Sequence, residues 1–545
     1  MNKQKYTFLL IICLLISLWF SFTNIHNQHR INHSNCIRES KIHFIPTNNY
    51  DLRYIHHLEL LENEIKQNYY LPIFYTNLQK TLGCIVRKVR FSSDGKLYVA
   101  GHTILADMLS IENNSVAHLQ ENFDIFVASF SLDLKTLHQA TFLGGSENDF
   151  FSSMEIGPQG EVYITGYTYS SDFPGISEET NTPNRKRMDY CSGFISLLSP
   201  DLKTLHRTYL LTGNYNTYAH SMTISPDAHI YVAGSTFSTI FPGTTGGAQS
   251  SFGGLIDGFI AKLSPDLTTL YQTTYLGGLE HDGIGSILIG PEGDVYVIGH
   301  TLSSDFPKVQ GGFQDTKAEF FNAFISRLSP DLSTIHQSTY LVGSKSSSIL
   351  AIAFGPKGEL YVAGGTDSSD FPGTEGGAQE SHETCTFIGF IANLSLDLKT
   401  LHQATYLGGS AMDVVYTMQI NPLGDIYVAG ITYSFDFPNT KEGAQSSKKS
   451  SKKDKLEGFI AKLSPDLKTI HQATYLGGSK SNILYSMIID SNGLVYVAGT
   501  TSSSDFPGTQ NGAFETKGKT SPNGFIAKLS PDLKILHQAS YTNWQ

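Results

Sequence analysis

The chain has 545 residues, of which 16% are charged and 12% aromatic, and its formal net charge is −11. This composition is typical of a folded chain rather than a disordered one. The acidic balance argues against a general nucleic-acid binder, because such a protein needs a basic face to displace counterions. The five cysteines lie far apart and form no CxxC pair, which argues against a disulfide framework or a structural zinc site.

The N-terminus carries an export signal. Lys3 and Lys5 precede an apolar run over residues 6–22. A basic segment followed by an apolar one is typical of a secretory signal peptide, and this run is also just long enough to anchor the chain in a membrane. Residues 1–22 are therefore predicted to be a signal peptide or a membrane anchor, and both alternatives stay open. Either one places the rest of the chain at the cell envelope or outside the cell.

Residues 23–83 form a lead-in that shares no phrase with the rest of the chain. Within it, the apolar residues of 51–67 recur at close to a helical period. We expect one short amphipathic helix there, with a long loop as the alternative.

From residue 84 onward the sequence is a repeat array. The phrase Tyr-Val-Ala-Gly or a close variant ends at Gly101, Gly166, Gly234, Gly299, Gly364, Gly430 and Gly499, at gaps of 65, 68, 65, 65, 66 and 69 residues. A fixed period of this length indicates one repeated supersecondary unit. The repeats cover about 84–149, 150–216, 217–282, 283–347, 348–413, 414–482 and 483–545.

Each repeat contains four short strand patterns. In the third copy they cover residues 221–224, 229–236, 258–263 and 268–276, and Ser-Pro-Asp turns join the first pair and the second pair as hairpins. Seven such units predict an all-β fold, a seven-bladed β-propeller of four-stranded antiparallel blades over 84–545. We expect seven whole blades rather than one shared between the termini. A β-solenoid is the alternative.

The repeats resemble the SBBP family of propeller repeats found in exported bacterial proteins. The matching phrases lie at 496–508, 524–529 and 404–410. The resemblance implies a surface or secreted propeller without a general catalytic assignment. The acidic residue expected after Gly-Gly-Ser is kept as Asp149, Asp282 and Asp413, whereas other copies carry Asn216, Ser347 and Asn482. This variation argues against a cation site shared by all blades.

Two residue types are complete in all seven copies. They are the threonine two places after the strand-two glycine and the aspartate of the Ser-x-Asp-Leu turn. A residue that every blade needs is expected to serve turns or hydrogen bonds between blades. A histidine recurs in six copies on the fourth strand, at His138, His206, His336, His402, His471 and His537. The fourth strand lies about 14 Å outward from the first, so these rings are too far apart to share a metal, and we expect them half-buried at an edge.

The loops between strands two and three vary most. Basic residues concentrate in two of them, at Arg185, Lys186, Arg187, Lys448, Lys449, Lys452, Lys453 and Lys455. Rigid scaffolds carry recognition on such loops, which makes these residues candidates for a partner interface. A solvated, mobile run of charge is the alternative.

The innermost strands offer one asymmetric polar pair. Arg90 and Glu155 occupy matching positions in the first two copies, where the other copies carry Thr223, Leu288, Ala353, Gln419 and Ile488. We expect a salt bridge between the first two blades. An anion site at the mouth of the channel is the functional alternative.

These observations predict an exported, non-enzymatic propeller that acts as a binding or scaffold module for a protein or glycan. No cofactor or metal site is predicted, the chain is expected to be a monomer, and any membrane contact is through the N-terminal segment. The alternative is a propeller hydrolase or lyase with a metal or a small molecule at the central channel. We find no nucleophile elbow, phosphate loop or dinucleotide motif to support it.

Overall fold

The computed structural model describes residues 84–92, 94–104, 122–176, 190–318, 321–382, 386–452, 454–518 and 521–542. The predicted export segment and lead-in helix lie outside these ranges. The described residues form seven four-stranded antiparallel sheets, each with its strands in chain order. The seven-bladed propeller predicted from the repeats is therefore confirmed. No described segment is a helix that could cross a membrane.

Each blade uses four consecutive strands, so no blade is shared between distant parts of the described chain. Blades one to four comprise β1 Ile85–Phe91, β2 Leu97–Thr103, β3 Asp124–Phe130, β4 Leu137–Leu143; β5 Asp149–Ile156, β6 Val162–Thr168, β7 Ser192–Leu198, β8 Leu205–Leu211; β9 Thr217–Ile224, β10 Ile230–Thr236, β11 Asp257–Leu263, β12 Leu270–Leu276; β13 Asp282–Ile289, β14 Val295–Thr301, β15 Asn322–Leu328 and β16 Ile335–Tyr340. Blades five to seven comprise β17 Ser347–Phe354, β18 Leu360–Thr366, β19 Ile388–Leu394, β20 Leu401–Leu407; β21 Asp413–Ile420, β22 Ile426–Thr432, β23 Glu457–Leu463, β24 Ile470–Leu476; β25 Asn482–Ile489, β26 Val495–Thr501, β27 Asn523–Leu529 and β28 Leu536–Tyr541.

The Ser-x-Asp-Leu phrase closes the hairpin between the third and fourth strands. In blade three the Ser264 hydroxyl donates to Asp266 Oδ1 at 2.6 Å, and the same oxygen accepts the Thr268 N–H at 3.1 Å. Leu267 follows with a φ of 55°, in the left-handed region, and its side chain is fully buried. The aspartate thus has the turn role predicted for it, and core packing holds the leucine in a conformation that such residues rarely adopt.

The glycine of Tyr-Val-Ala-Gly permits a bulge in the first strand. A Cβ on Gly234 would lie 1.8 Å from the carbonyl oxygen of Tyr218, and the other six copies are equally tight, at 1.8 to 2.0 Å. Only glycine tolerates this approach. Opposite it, the ladder of blade one skips a residue between Val86 and Lys88, as it does at the matching place in every blade. Such a bulge redirects the extra side chain.

A tyrosine hydroxyl joins each blade to the next. Tyr98 of blade one donates to the Pro200 carbonyl of blade two at 2.6 Å, and the equivalent bond recurs at every junction. The last of these runs from Tyr496 of blade seven to Leu132 of blade one at 3.0 Å. Apolar clusters fill the space between neighbouring blades, including the space between blades seven and one. The ring is therefore closed by the same contacts that hold its other junctions.

Candidate functional site at the central channel

The first strands of neighbouring blades contact each other around the whole ring, so they form the wall of the central channel. The bulge places one residue per blade on this wall. Contacts between blades show it: the rings of Tyr416 and Tyr485 stack at 6.1 Å, and the Arg87 guanidinium lies 4.2 Å from the centre of the Tyr485 ring. The seven bulge positions are Arg87, Ser152, His220, Gly285, Leu350, Tyr416 and Tyr485.

The structure brings Arg90 and Glu155 together. Arg90 Nη2 donates to Glu155 Oε1 at 2.7 Å, and Nε donates to Oε2 at 3.0 Å, which is the bidentate geometry of a strong pair. Nη1 donates to the Val89 carbonyl at 3.0 Å. The side chains are 17% and 23% exposed. Because Arg90 uses all three nitrogens on protein acceptors, this geometry favours the structural interpretation over an anion site at Arg90 itself.

Two further cations lie on the same strand, and the sequence analysis did not identify them. Arg87 and Lys88 are both partly buried, and among the described residues no carboxylate lies within ion-pair distance of either. Burial, together with the positive charge of Arg90, lowers the pKa of Lys88 to about 7, although the nearby Glu155 carboxylate acts in the opposite direction. The sequence signal that could have revealed them is the occurrence of two adjacent cations in a first strand, where the other blades carry mostly uncharged residues.

Buried imidazoles lie on the first strand of blade three, at His220, and on the second strands of blades one and four, at His102 and His300. Burial lowers the pKa of His102 to about 3, and that of both His220 and His300 to about 4, so all three rings are neutral near pH 7. His220 stacks on Tyr218, with ring centres 6.3 Å apart, and Ser235 Oγ lies 3.3 Å from its Nε2. Within the described ranges, no three histidine, cysteine or acidic side chains are grouped as metal ligands would be. His220 therefore adds an uncharged ring to the wall, and the uncharged rings of His102 and His300 lie one strand farther out.

The six repeated histidines lie far from the channel. Each is the second residue of an outermost strand, as His138 is in β4, and each is exposed rather than half-buried as expected. The strand edge leaves the ring in solvent, which corrects the predicted burial.

The loops between strands two and three are not free loops where the structure describes them. The Gly243 carbonyl accepts the N–H of Thr273 at 2.8 Å, which pairs the loop with the outer edge of β12. Farther along the same loop, the Ala248 N–H donates to Leu332 of the next blade at 2.8 Å. Equivalent bonds link the loops of blades four to seven with their following blades. We call these segments straps, because each one covers an outer strand and fastens the adjacent blade.

The candidate basic residues of the loops divide into three groups. Lys448 is only 8% exposed, and its Nζ donates to the carbonyls of Tyr433 and Lys455 at 3.0 and 2.9 Å. A purely solvated, mobile run of charge is therefore wrong for this residue. Lys449 is exposed but donates to the Asp505 carbonyl at 3.0 Å. Lys452 is exposed and Lys455 partly buried, whereas Arg185, Lys186, Arg187 and Lys453 lie outside the described residues.

Paired carboxyl groups occur at two blade junctions. The position that a Cβ would take on Gly144 lies 1.8 Å from Asp124 Oδ1 and 3.1 Å from Asp149 Oδ2, so the two groups face each other across the link. Burial raises the pKa of Asp124 to about 8, helped by Asp149, whose own pKa rises to about 6 on burial. Asp257 and Asp282 repeat the arrangement between blades three and four. The raised pKa values favour one shared proton on each of these carboxyl pairs. The residue at the start of the first strand differs between blades, as the sequence indicated, so the pairing is not repeated at every junction.

Comparison with known proteins agrees with this architecture. Residues 473–507 match the SBBP family, a beta-propeller repeat. No curated protein matches the sequence. Among solved structures, a protein of unknown function from Dyadobacter fermentans is 12% identical, with a TM-score of 0.37, over 66% of this chain and 93% of that one.

Two other solved structures are similar at the same low level. PorZ, described as an essential surface component of the type-IX secretion system of Porphyromonas gingivalis, is 14% identical, with a TM-score of 0.36, over 75% of this chain and 44% of that one. A gluconolactonase from Xanthomonas campestris is 10% identical, with a TM-score of 0.28, over 66% of this chain and 94% of that one. Identities and TM-scores this low assign no function. Residues 473–507 are therefore similar to an SBBP propeller repeat, and the described residues form a closed seven-bladed β-propeller.

Proposed function

We propose that the protein is an exported, non-enzymatic binding module that holds its ligand at the central channel. One observation carries this proposal: the side chains repeated in every blade are used in turns and in contacts between blades, whereas the polar side chains of the channel wall are unequal from blade to blade. Repetition serves the ring, whereas a single ligand site at its centre is built from residues that differ between blades. The strongest break lies on β1, at Arg87, Lys88 and Arg90.

The contacts of the straps also favour the channel over the loops. The parts of the straps that recur are occupied by bonds to the outer strands and to the next blade. Their variable basic residues, such as the exposed Lys452, stay candidates for a second contact with a partner. A protein or a glycan could supply that contact.

An enzymatic function is the second candidate, and Lys88 is the observation that favours it. An amine with a pKa of about 7 is about half uncharged at neutral pH, and its uncharged form can act as a nucleophile or a base. Against this, Glu155 is the one carboxylate at the matching inner-strand positions that the structure describes, and Arg90 holds it by two hydrogen bonds. An acid–base pair for hydrolysis or elimination would need a second group beside it.

The binding role can be tested with an array of glycans and with isolated cell-envelope fractions. The purified protein is compared with Arg87→Ser, whose new residue is the one blade two carries at that position, and with Lys452→Ser as a control of equal charge on a strap. We expect the parent protein to bind at least one glycan or envelope component. Arg87→Ser should lose this binding, and Lys452→Ser should keep it. Loss in Lys452→Ser alone would move the site to the straps.

The enzymatic alternative has its own measurements. Metal analysis of the purified protein showing one tightly held divalent ion per chain would favour a metal-dependent reaction at the channel. Covalent trapping of Lys88 by an aldehyde and borohydride, combined with turnover of a carbonyl substrate, would favour an imine-forming enzyme. Either result, with no retained ligand, would overturn the proposal.

Export rests on the N-terminal sequence, and its test is direct. Fractionation of the producing cell should place the protein in the envelope or in the medium. Sequencing of its N-terminus then separates a cleaved signal peptide, which begins the mature chain after about residue 22, from an anchor that keeps Lys3. Recovery in the cytoplasm would contradict this part of the proposal.

A further inference from the structure

Among the described residues, the channel wall carries more positive than negative charge. Three sets of matching inner-strand positions surround the channel, at the levels of Arg87, Lys88 and Arg90. Together they hold these three cations and one carboxylate, Glu155, and the remaining positions are uncharged or carry the neutral His220. Because Arg90 takes both carboxylate oxygens of Glu155, neither Arg87 nor Lys88 has a carboxylate within ion-pair distance among the described residues, and Glu155 acts on Lys88 only from farther away.

Arg87 is positioned by an aromatic platform. Its guanidinium lies over the Tyr485 ring at 4.2 Å, and Tyr485 stacks in turn on Tyr416. A guanidinium held by its face against a ring keeps its N–H edge free for an acceptor, and a planar fork of donors suits carboxylate, phosphate and sulfate groups. The partly buried ring of Tyr416 lies beside it and offers an apolar surface.

Lys88 stands where every other blade has a small residue. The matching positions are Ser153, Ser221, Ser286, Ala351, Thr417 and Ser486. Packing between blades therefore needs no long side chain at this position. In blade seven the matching residue bonds to blade one, because Ser486 Oγ accepts the Val89 N–H at 3.2 Å. A lysine here adds a charge beside Arg90 and Glu155 and no contact that the ring requires.

We propose that Arg87 and Lys88 form a binding site for one anionic group, a carboxylate, phosphate or sulfate, on a small ligand such as an acidic sugar. Tyr416 contacts an apolar face of the same ligand. This inference rests on the proposed binding function and adds to it the chemical class of the ligand.

The site has a characteristic dependence on pH. The charged groups that act on Lys88 are Arg90, which disfavours its protonation, and Glu155, which favours it. A bound anion favours the charged amine, so binding near pH 8 must take up a proton. The affinity is full below the pKa of about 7 and falls as the pH rises above it.

Isothermal titration calorimetry on the full-length protein tests the proposal with defined probes: inorganic sulfate, glucuronate, glucose 6-phosphate and neutral glucose. We expect the anionic probes to bind and glucose to bind at least tenfold more weakly. Lys88→Ser and Arg87→Ser should each weaken anion binding at least tenfold. The double variant Lys135→Ser/Lys203→Ser removes two exposed turn charges and serves as the control for net charge, with no change expected.

Lys88→Arg supplies a readout that a structural role would not give. It should keep anion binding but lose both the decline above pH 7 and the proton uptake seen in buffers of different ionisation enthalpy. Binding of sulfate without glucuronate would identify the free oxyanion as the ligand, and the reverse would identify the acidic sugar. Equal binding of glucose, or anion binding unaffected in both Arg87→Ser and Lys88→Ser, would overturn the inference. If a neutral glycan binds and only a channel variant loses it, the binding function stands and the anionic class fails.

Discussion

The Arg90–Glu155 pair gives the sharpest test of the channel geometry. Arg90→Met removes three hydrogen bonds and leaves the Glu155 carboxylate, whose side chain is 23% exposed, without its counter-ion. Breaking a fully buried pair from one side costs about 3–5 kcal/mol, whereas an exposed pair contributes at most about 1 kcal/mol. With both side chains about four-fifths buried and the contact bidentate, we expect a loss of roughly 2–3 kcal/mol.

The double variant Arg90→Met/Glu155→Leu should recover most of that loss, to within about 1 kcal/mol of the parent, because apolar side chains of similar size replace the pair. Blades four and seven already carry Leu288 and Ile488 at this position. The coupling free energy between the two sites should then be at least about 1.5 kcal/mol.

Equilibrium unfolding in urea is the suitable assay, since melting is insensitive for a chain of this size. An unfolding entropy of about 2.1 cal/mol/K per residue makes 1 kcal/mol equivalent to only about 1 °C here. The exposed Lys534–Glu442 pair between blades six and seven is the matched control, and Lys534→Met should leave the urea midpoint unchanged. Additive effects of Arg90→Met and Glu155→Leu would show that the pair does not couple the first two blades, and the register deduced for β1 and β5 would be wrong.

Three further outcomes follow from the contacts. Tyr496→Phe and Tyr296→Phe should each lower the unfolding free energy by about 1 kcal/mol, because each removes one hydrogen bond between blades. An effect of Tyr296→Phe alone would mean that the ring is open in solution. Lys448→Ser should lower the unfolding free energy measured in urea by about 2 kcal/mol, because it removes two buried hydrogen bonds, whereas Lys452→Ser at an exposed position should leave it unchanged. Equal urea midpoints for the two variants would show that the strap does not pack against the blade. Asp124→Asn should become more stable relative to the parent as the pH rises from about 4 to 8, since the folded parent keeps a proton on Asp124 that its unfolded chain releases. The difference in unfolding free energy should change by at most about 1.4 kcal/mol per pH unit. Urea midpoints of variant and parent that stay a constant distance apart over about pH 4.5–8.5 would refute the raised pKa.

The fold could be predicted from the sequence because the same strand and turn patterns recur in seven copies. Strand patterns, turn residues and period all agree, so errors in one copy are corrected by the others. The strand positions predicted for the third copy match β9 to β12 to within four residues at each end. The reason for the invariant glycine was not evident from the pattern, because a bulge depends on how two strands approach each other rather than on either one alone.

The packing of the straps against the blades was not predicted from the sequence, for a physical reason. Serine and lysine have little apolar surface, so a composition rich in them indicates solvated chain. What fixes a strap is its backbone, as in the bond from Ala248 to Leu332 of the next blade, and backbone bonds leave little trace in composition. A trace existed all the same: the phrase Gly-Gly-Ala-Gln or a close variant recurs at 246–249, 311–314, 376–379 and 442–445. Its recurrence indicated a structural segment inside a region otherwise judged variable.

The placement of the unpaired charges on β1 ties ligand binding to ring closure. Through Arg87 this strand contacts Tyr485 of blade seven, and through Arg90 it contacts Glu155 of blade two, so blade one is joined to both neighbours by cations. The aromatic platform that positions Arg87 therefore exists only when blades one and seven meet. An anion that binds there stabilises the closed ring over the unfolded chain by about 2.7 kcal/mol at a concentration a hundred times its dissociation constant. Arg90 disfavours the charged form of Lys88 in the unliganded ring, and an anion bound beside the lysine would offset that repulsion.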